Sequence, residues 1–373
     1  MRSFIDRVGA VITAAGLSSR MGAFKPLLPI GGQPLLQRTV DNLRCCGLRR
    51  IIVAAGRQAE EIEALLIPQG IRVVRNELFA QSTMLDSVQL GLAALKDTDY
   101  CFVLPGDMPM IAPHTLRLLL EQVMTSDAAV IYPLYQGQKA HPPLISARCY
   151  EYILHYQGEG GLQGALTRWQ AEEALVAVPD RGCTLDADTP DDYRQILAYW
   201  QHWNQPDRAM CGDILAWAQT PAKVIRHEQA VAEVAAGIGE ALVQSGHPLD
   251  LALIESGALL HDVLRLEPAH AWAGAALLEE MGCFAVAAVI KEHMDLSADA
   301  GAALDERAVV FLADKLVRET QRVSVAERYA KALQKFAPET VEGRRIRQNF
   351  RLAKRLIERV ETMTGLELEE KRR

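Results

Sequence analysis

What this sequence has little of narrows its function before any motif is read. Cysteine is sparse and unpatterned: seven among 373 residues, an odd number, with Cys45 and Cys46 adjacent and no Cys-x-x-Cys pair. That usage argues against a disulfide framework and against zinc held by cysteine, and predicts free thiols in a reducing, cytoplasmic setting. No run of about twenty apolar residues occurs. Charges interrupt the apolar N-terminus MRSFIDRVGAVITAAG, so neither a membrane partner nor a secretory leader is expected. A basic surplus is missing too. Forty Lys and Arg stand against 47 Asp and Glu, a formal charge of −7, which argues against a nucleic-acid partner. The deficit is shared: 18 basic and 21 acidic residues over 1–200, 22 and 26 over the remainder. Small phosphorylated ligands stay compatible, since they require only a local group of cations.

What is present is a globular composition, 49% hydrophobic and 23% charged, in a chain too long for one ordinary core. The first half alternates. GAVIT (9–13), IIVAAG (51–56), IRVVRN (71–76), YCFVLPGD (100–107) and AAVIYP (128–133) are short apolar runs rich in Val and Ile. Helical patterns such as PLLQRTVDNLRCCG and STMLDSVQLGLAALK lie between them. That alternation predicts an α/β domain, a doubly wound, mostly parallel, Rossmann-like sheet over residues 1–200, with ligands beyond the carboxyl ends of the strands. After Tyr193 the pattern changes, and residues 201–212 read as a linker. From Thr220 on there is no strand signal. Thr220-Pro221 reads as an N-cap and first helical position. Helices are predicted over 221–244, 249–264, 268–281, 284–294, 305–318 and a broken 325–362, making 213–373 an all-α domain.

Two cations stand out near the first strand. AAGLSSRMGAFKPLL places a glycine-bearing loop, Arg20 and Lys25 directly after it. Backbone N–H groups at such an exit favour phosphate oxygens. A tight βα turn with two solvated cations accounts for the same pattern. Residues 1–200 contain 15 arginines and three lysines, Lys25, Lys96 and Lys139, so a lysine inside this loop is unusual for the chain. Asp107 in LPGDMP sits just past a strand, where it suits either a magnesium ligand or a turn.

The longer run AAGLSSRMGAFKPLLPIGGQPLL resembles the signature of the molybdenum cofactor cytidylyltransferases and guanylyltransferases. The resemblance implies a nucleoside triphosphate held by Ala14, Ala15, Gly16, Ser18, Arg20 and Lys25, with Lys25 on the phosphates. Guanylyl-transferring members tend to read Gly-Gly where this chain has Ala15-Gly16, so CTP is the preferred donor and GTP the second choice. It further implies Gly106 at the nucleotide and Mg²⁺ on Asp107 and on Asp188 of LDADTPDDY. A helix N-cap is the plainer role for Asp188. Ser82 and Thr83 of QSTMLDSVQLGLAAL fall at the nucleotide, with helix capping as their plainer role. AHPPLIS is similar to the acceptor segment, implying His141 and Pro142, although Ala140 replaces the family's glycine. GEGGLQGAL matches the Gly-Asp-x-Gly-Ala-Arg run only loosely: Glu159 stands for the aspartate and the arginine is absent. The implied reaction is nucleotidyl transfer to a phosphorylated small acceptor, molybdopterin, with release of pyrophosphate and with Arg20, Lys25 and Asp107 as the catalytic groups. A molybdenum hydroxylase is the implied protein partner. Two alternatives are a sugar- or polyol-phosphate nucleotidyltransferase and a cofactor-binding maturation chaperone without turnover.

Six of nine histidines follow residue 200. His227 lies in KVIRHEQAVAEVA, His261-Asp262 ends ESGALLHDV, His270 and His293 follow, and Asp314 sits in VVFLADKLV. A His-Asp pair on an apolar helix is costly to bury unless satisfied, and a divalent metal satisfies it. A hydrogen-bonded core histidine is the commoner outcome for each alone, and Asp314 has Lys315 and Arg318 as ready partners. The combination resembles the His-Asp (HD) metal-dependent phosphohydrolases over about residues 220–330. That resemblance implies Mn, Fe or Mg on His227, His261, Asp262 and Asp314, a second metal on His270 and His293, and Lys291 beside a phosphate.

Overall fold

The computed structural model describes residues 2–17, 20–95 and 97–369, and these fall into two compact units, 1–200 and 201–373. In the first unit the strands are Val8–Ala14 (β1), Arg50–Ala55 (β2), Arg72–Arg75 (β3), Tyr100–Pro105 (β4), Val130–Tyr135 (β5), Leu144–Ser146 (β6) and Glu173–Ala177 (β7). They lie side by side in the order β7-β5-β6-β4-β1-β2-β3. Six of these seven run parallel, and an eighth, two-residue strand, Gln138–Lys139, pairs antiparallel with β5. β6 is antiparallel to both neighbours. The expected mostly parallel sheet is present, and β6 and β7 are strands the sequence did not announce. β6 has only three residues, and β7, EALVA, is half-exposed, so neither shows the apolar run of a central strand.

β1 is the hinge of the topology. From it the chain moves outward through β2 and β3, then returns to pair β4 on the other side. The register Thr13↔Pro105 aligns the carboxyl ends of β1 and β4 at this switch point, where ligands of open α/β sheets bind. Gly106 tightens the junction: its N–H donates to the Thr13 carbonyl at 2.9 Å, and a Cβ there would stand 2.9 Å from Leu36 Cδ1. Gly106 is therefore a close-packing residue, set between Pro105 and Asp107, which both line the cavity described below.

The segment before the acidic LDADTPDDY motif is anchored by Asp180. Its buried carboxylate accepts from Ala112 N, Thr115 Oγ1 and Gly182 N at 2.7–2.8 Å. Burial pushes this carboxyl above its ordinary value, against the three donors. Asp180→Ala should cost about 3 kcal/mol by orphaning those donors. A urea titration checks this, and an unchanged midpoint would contradict the anchoring role.

The second unit is built from helices α1 (Arg208–Trp217), α2 (Ala222–Gln244), α3 (Leu251–Leu260), α4 (His270–Glu280), α5 (Phe284–Lys291), α6 (Glu306–Lys315), α7 (Val325–Lys335) and α8 (Val341–Thr364), with a short helix Ala298–Ala303 before α6. Their core includes Val231, Ala235, Ile238, Ile254, Ala258, Phe311 and Leu356. Three local expectations change, and the expected break in the last helix is present. The linker shrinks to residues 203–207, because one helix continues to His202 and α1 starts at Arg208, where Asp207 caps Met210 N and Cys211, Ile214 and Leu215 are buried. Thr220 does not cap α2; its hydroxyl donates to the Val263 carbonyl at 2.7 Å. Val317–Arg318 and Gln321–Arg322 form a two-residue antiparallel pair within the otherwise helical unit. The broken last helix ends its first piece at Lys335 and restarts after the Thr340 cap. No helix among the described residues is long and apolar enough to cross a membrane.

Candidate functional site

At the switch point a cavity of about 400 Å³ opens beside the exit of β1. Thr13, Ala14, Ala15 and Gly16 form one wall, and Ser82, Thr83, His141, Asp107, Asp186 and Asp188 form others. Gly16 is exposed, with open space where a Cβ would be, so the exit is not packed shut. Lys25 begins the 3₁₀ turn Lys25–Leu27 and turns its ammonium inward. It lies 3.4 Å from Asp107 Oδ2 and 2.5 Å from Asp188 Oδ1. Burial lowers the Lys25 pKa, but the hydrogen bond to Asp188 and the charges of both aspartates outweigh it and hold the ammonium above its ordinary value. Burial pushes Asp107 up despite the Lys25 charge. Burial and the charges of Asp188 and Asp107 also raise Asp186.

The sequence-derived residues sort as follows. Ala14, Ala15, Gly16, Lys25, Ser82, Thr83, Asp107, His141 and Asp188 meet at this cavity. Arg20 is exposed and faces Asp188 at 3.7 Å without lining the cavity. Ser18 lies outside the described residues. Thr83 is the cap of its helix, in a reciprocal pair with Asp86, and Ser82 Oγ accepts from Asn76 at 2.8 Å. Asp188 is not a cap: Thr189 and Asp192 close that helix end. Pro142 lines neither hollow, whereas Pro143 lines an adjoining one of about 650 Å³ that shares Thr83, Met84 and His141 with the first. Gln163 and an ion-paired Lys139–Glu173 also line that second hollow. Asp186 was missed as a site residue. It stood in the quoted LDADTPDDY, two positions from Asp188, and both line the cavity.

The helical unit gathers its own cluster. His270 Nε2 and His293 Nε2 stand 3.1 and 3.4 Å from Asp262 Oδ1, and His227 Nε2 stands 3.2 Å from Asp314 Oδ1. His261 Nε2 is 3.8 Å from Asp262 and 3.9 Å from Asp314. Each of His227, His261 and His293 has Nδ1 at a backbone carbonyl, of Glu319, Ala258 and Ile290. Those carbonyls take the Nδ1 proton and leave Nε2 as a lone-pair donor. Nε2 of His261 and of His293 is buried with no well-formed hydrogen bond, only the longer approaches to Asp262 and Asp314. Burial pushes the His261 imidazole down to about 4, so it is neutral at pH 7. Two sets of groups lie within metal-binding reach, His227/His261/Asp262 and Asp262/His270/His293, which bring together five of the six expected residues; Asp314 is in neither set and stands beside them at His227. Asp314 is held by Lys315 at 2.6 Å and by Arg328, where the sequence offered Arg318. Lys291 stacks on the Trp272 ring at 4.1 Å and does not line the cavity above the cluster, which corrects its expected phosphate role. Glu228, wholly buried, accepts from Asp262 N at 3.1 Å. Its position next to His227 was the signal available for it.

Comparison with known proteins bears on the first unit. Residues 10–175 match the MobA-like NTP transferase domain. The molybdenum cofactor cytidylyltransferase of Escherichia coli K12 is 32% identical over 191 residues, 51% of this chain and 95% of that protein. A probable molybdenum cofactor guanylyltransferase of Natranaerobius thermophilus is 25% identical over 207 residues, 52% of this chain and 97% of that one. The crystal structure of Rv0371c from Mycobacterium tuberculosis H37Rv is similar at 27% identity and a TM-score of 0.47, covering 52% of this chain and 98% of its own. A chain that spans one such enzyme almost end to end at this identity belongs to its family, and the protein is a nucleotidyltransferase of the MobA-like NTP transferase group.

Proposed function

We propose that the first unit transfers CMP from CTP to the terminal phosphate of molybdopterin, releasing pyrophosphate, and that the helical unit is a metal-dependent phosphohydrolase. The observation that carries the first part is the meeting of Asp107 and Asp188 on the Lys25 ammonium at the exit of β1. Two carboxylates that converge on one cation are the hard oxygen donors Mg²⁺ takes, so these residues fit the ion. Mg²⁺, when bound there, neutralises charge on the reacting phosphates.

The chain's own groups do the rest. The open strand exit at Ala15-Gly16 offers backbone N–H groups to the triphosphate. Lys25, a compact charge on a flexible stem, follows the departing pyrophosphate. Asp107 and Asp188 orient Lys25 until substrate competes for it. The wall shared by the two hollows, Thr83, Met84 and His141, supports an acceptor phosphate approaching from the second hollow toward the nucleotide in the first. Holding both reactants in this way supplies catalysis by positioning. Ala15 in place of a glycine favours CTP.

Pyrophosphate release from CTP or GTP, with molybdopterin set against a panel of sugar and polyol phosphates, tests this reading. Release with molybdopterin and CTP is expected. Release only with a sugar phosphate overturns the acceptor, and absence of release with every acceptor overturns catalysis.

For the helical unit, the orphaned Nε2 atoms of His261 and His293 carry the reading, because lone pairs aimed at Asp262 and Asp314 require a cation among them. His227, His261, Asp262 and Asp314 would hold one divalent ion, and His270 and His293 with Asp262 a second. Such an ion supplies Lewis acidity toward a phosphate ester.

A further inference from the structure

The cavity above the His/Asp cluster carries more positive charge than the cluster uses. It encloses about 1,020 Å³, and eight Lys and Arg line it against four Asp and Glu. Residues 201–373 as a whole are acidic, 22 basic against 26 acidic, so the cations are concentrated here. Five of the eight are engaged. Lys315 and Arg328 hold Asp314, Arg265 reaches Asp262, Arg345 joins Asp295 and Glu342, and Arg318 donates to the Glu327 carbonyl.

Lys223, Arg226 and Lys331 have no hydrogen bond or ion pair among the described residues. Lys223 and Arg226 precede His227 by four residues and one residue on α2, and Lys331 follows Tyr329 by two on α7. Tyr329 adds an independent sign of a ligand. It is 8% exposed, lines this cavity, and its hydroxyl is buried with no partner. Burial keeps that hydroxyl un-ionised, so it is a donor awaiting an acceptor.

A single phosphoryl group at the cluster is already served by Lys315, Arg328 and Arg265. Three more uncompensated cations in one cavity repel each other and focus a positive field unless an anion joins them. We propose that this cavity takes a ligand with two or more linked phosphoryl groups, a nucleoside polyphosphate or another pyrophosphate ester, with one group at the cluster beside Tyr329 and the next held by Lys223, Arg226 and Lys331. Phe336, Ile346 and Leu266 give the organic part an apolar wall. The inference rests on the metal-site reading for the position of the first phosphoryl group.

The test uses the full chain carrying Lys25→Ala, which weakens phosphate binding in the first unit. Manganese-loaded protein is titrated calorimetrically with tripolyphosphate and with orthophosphate. Tripolyphosphate is expected to bind at least about tenfold more tightly, roughly what three exposed cations contribute together. Adding Lys223→Ala, Arg226→Ala and Lys331→Ala should erase that ratio and leave manganese content unchanged. Any chelation by the ligand is common to both proteins. Equal binding of the two ligands in the parent, or a ratio that survives the triple substitution, overturns the proposal. Elemental analysis before titration reads the metal site separately. A parent that retains no manganese refutes that site, and the same ratio on metal-free protein still decides the inference.

Discussion

Asp107→Ala is expected to lower nucleotidyl transfer on the order of 10²–10³-fold, the usual loss when one preorganised charge-stabilising group is removed. The argument is geometric. Asp107 follows β4, whose register with β1 points its carboxylate at the triphosphate exit, and it shares Lys25 with Asp188. Removing it takes away one of the two oxygen donors proposed for magnesium and removes one of the two carboxylates paired with Lys25. The fold should survive, because Asp107 lies past the strand and its side-chain ion pair is with Lys25 at the cavity. The check is the rate of pyrophosphate release at saturating CTP, beside a thermal melt. A full rate in the variant ends the metal assignment. Asp186→Ala, by contrast, should cost less, since Asp186 faces the same cavity whereas Asp107 and Asp188 are the carboxylates ion-paired with Lys25.

Asp262→Ala should strip divalent metal from the helical unit, weakening its affinity by about 100-fold or more, beyond what loss of an outer-shell partner costs. Asp262 is the shared corner of the cluster: His270, His293 and His261 all face its two oxygens. Manganese added to the parent at about a hundredfold over its dissociation constant should stabilise the unit by about 2.7 kcal/mol, seen as a raised melting temperature. The variant should show no such shift. Asp262→Asn keeps the shape and one oxygen, and it should recover part of the response. A variant that still melts higher with manganese would place the metal elsewhere.

Much of the first site was legible along the chain, because its parts are local. A strand exit, a glycine and a lysine within a dozen residues show themselves in AAGLSSRMGAFK, and the burial of VGAVITA could be read from its composition. What lay hidden depends on contacts across long stretches of chain. Lys25 and Asp188 are 163 positions apart, and nothing in either segment says that they pair. Gly106 looked like a nucleotide glycine, yet its lack of a side chain serves Leu36 and the Thr13 carbonyl. In the helical unit the six metal-type residues could be named, and Lys315 as a partner of Asp314, but not their other partners. Arg328 reaches Asp314 from the next helix, and Thr220 gives up capping for the Val263 carbonyl.

The sequence by itself determined most of the element types, the split into a strand–helix half and a helical half, and the residues from which each candidate site is built. Periodicity and residue type act through neighbours in the chain, and they need no knowledge of the fold. Only the tertiary structure decided which carboxylates share Lys25, which cations on the second cavity stand unpaired, and where two short strands complete the sheet. Those outcomes follow from packing between distant segments, where a few ångströms set whether a charge is neutralised or left waiting for a ligand.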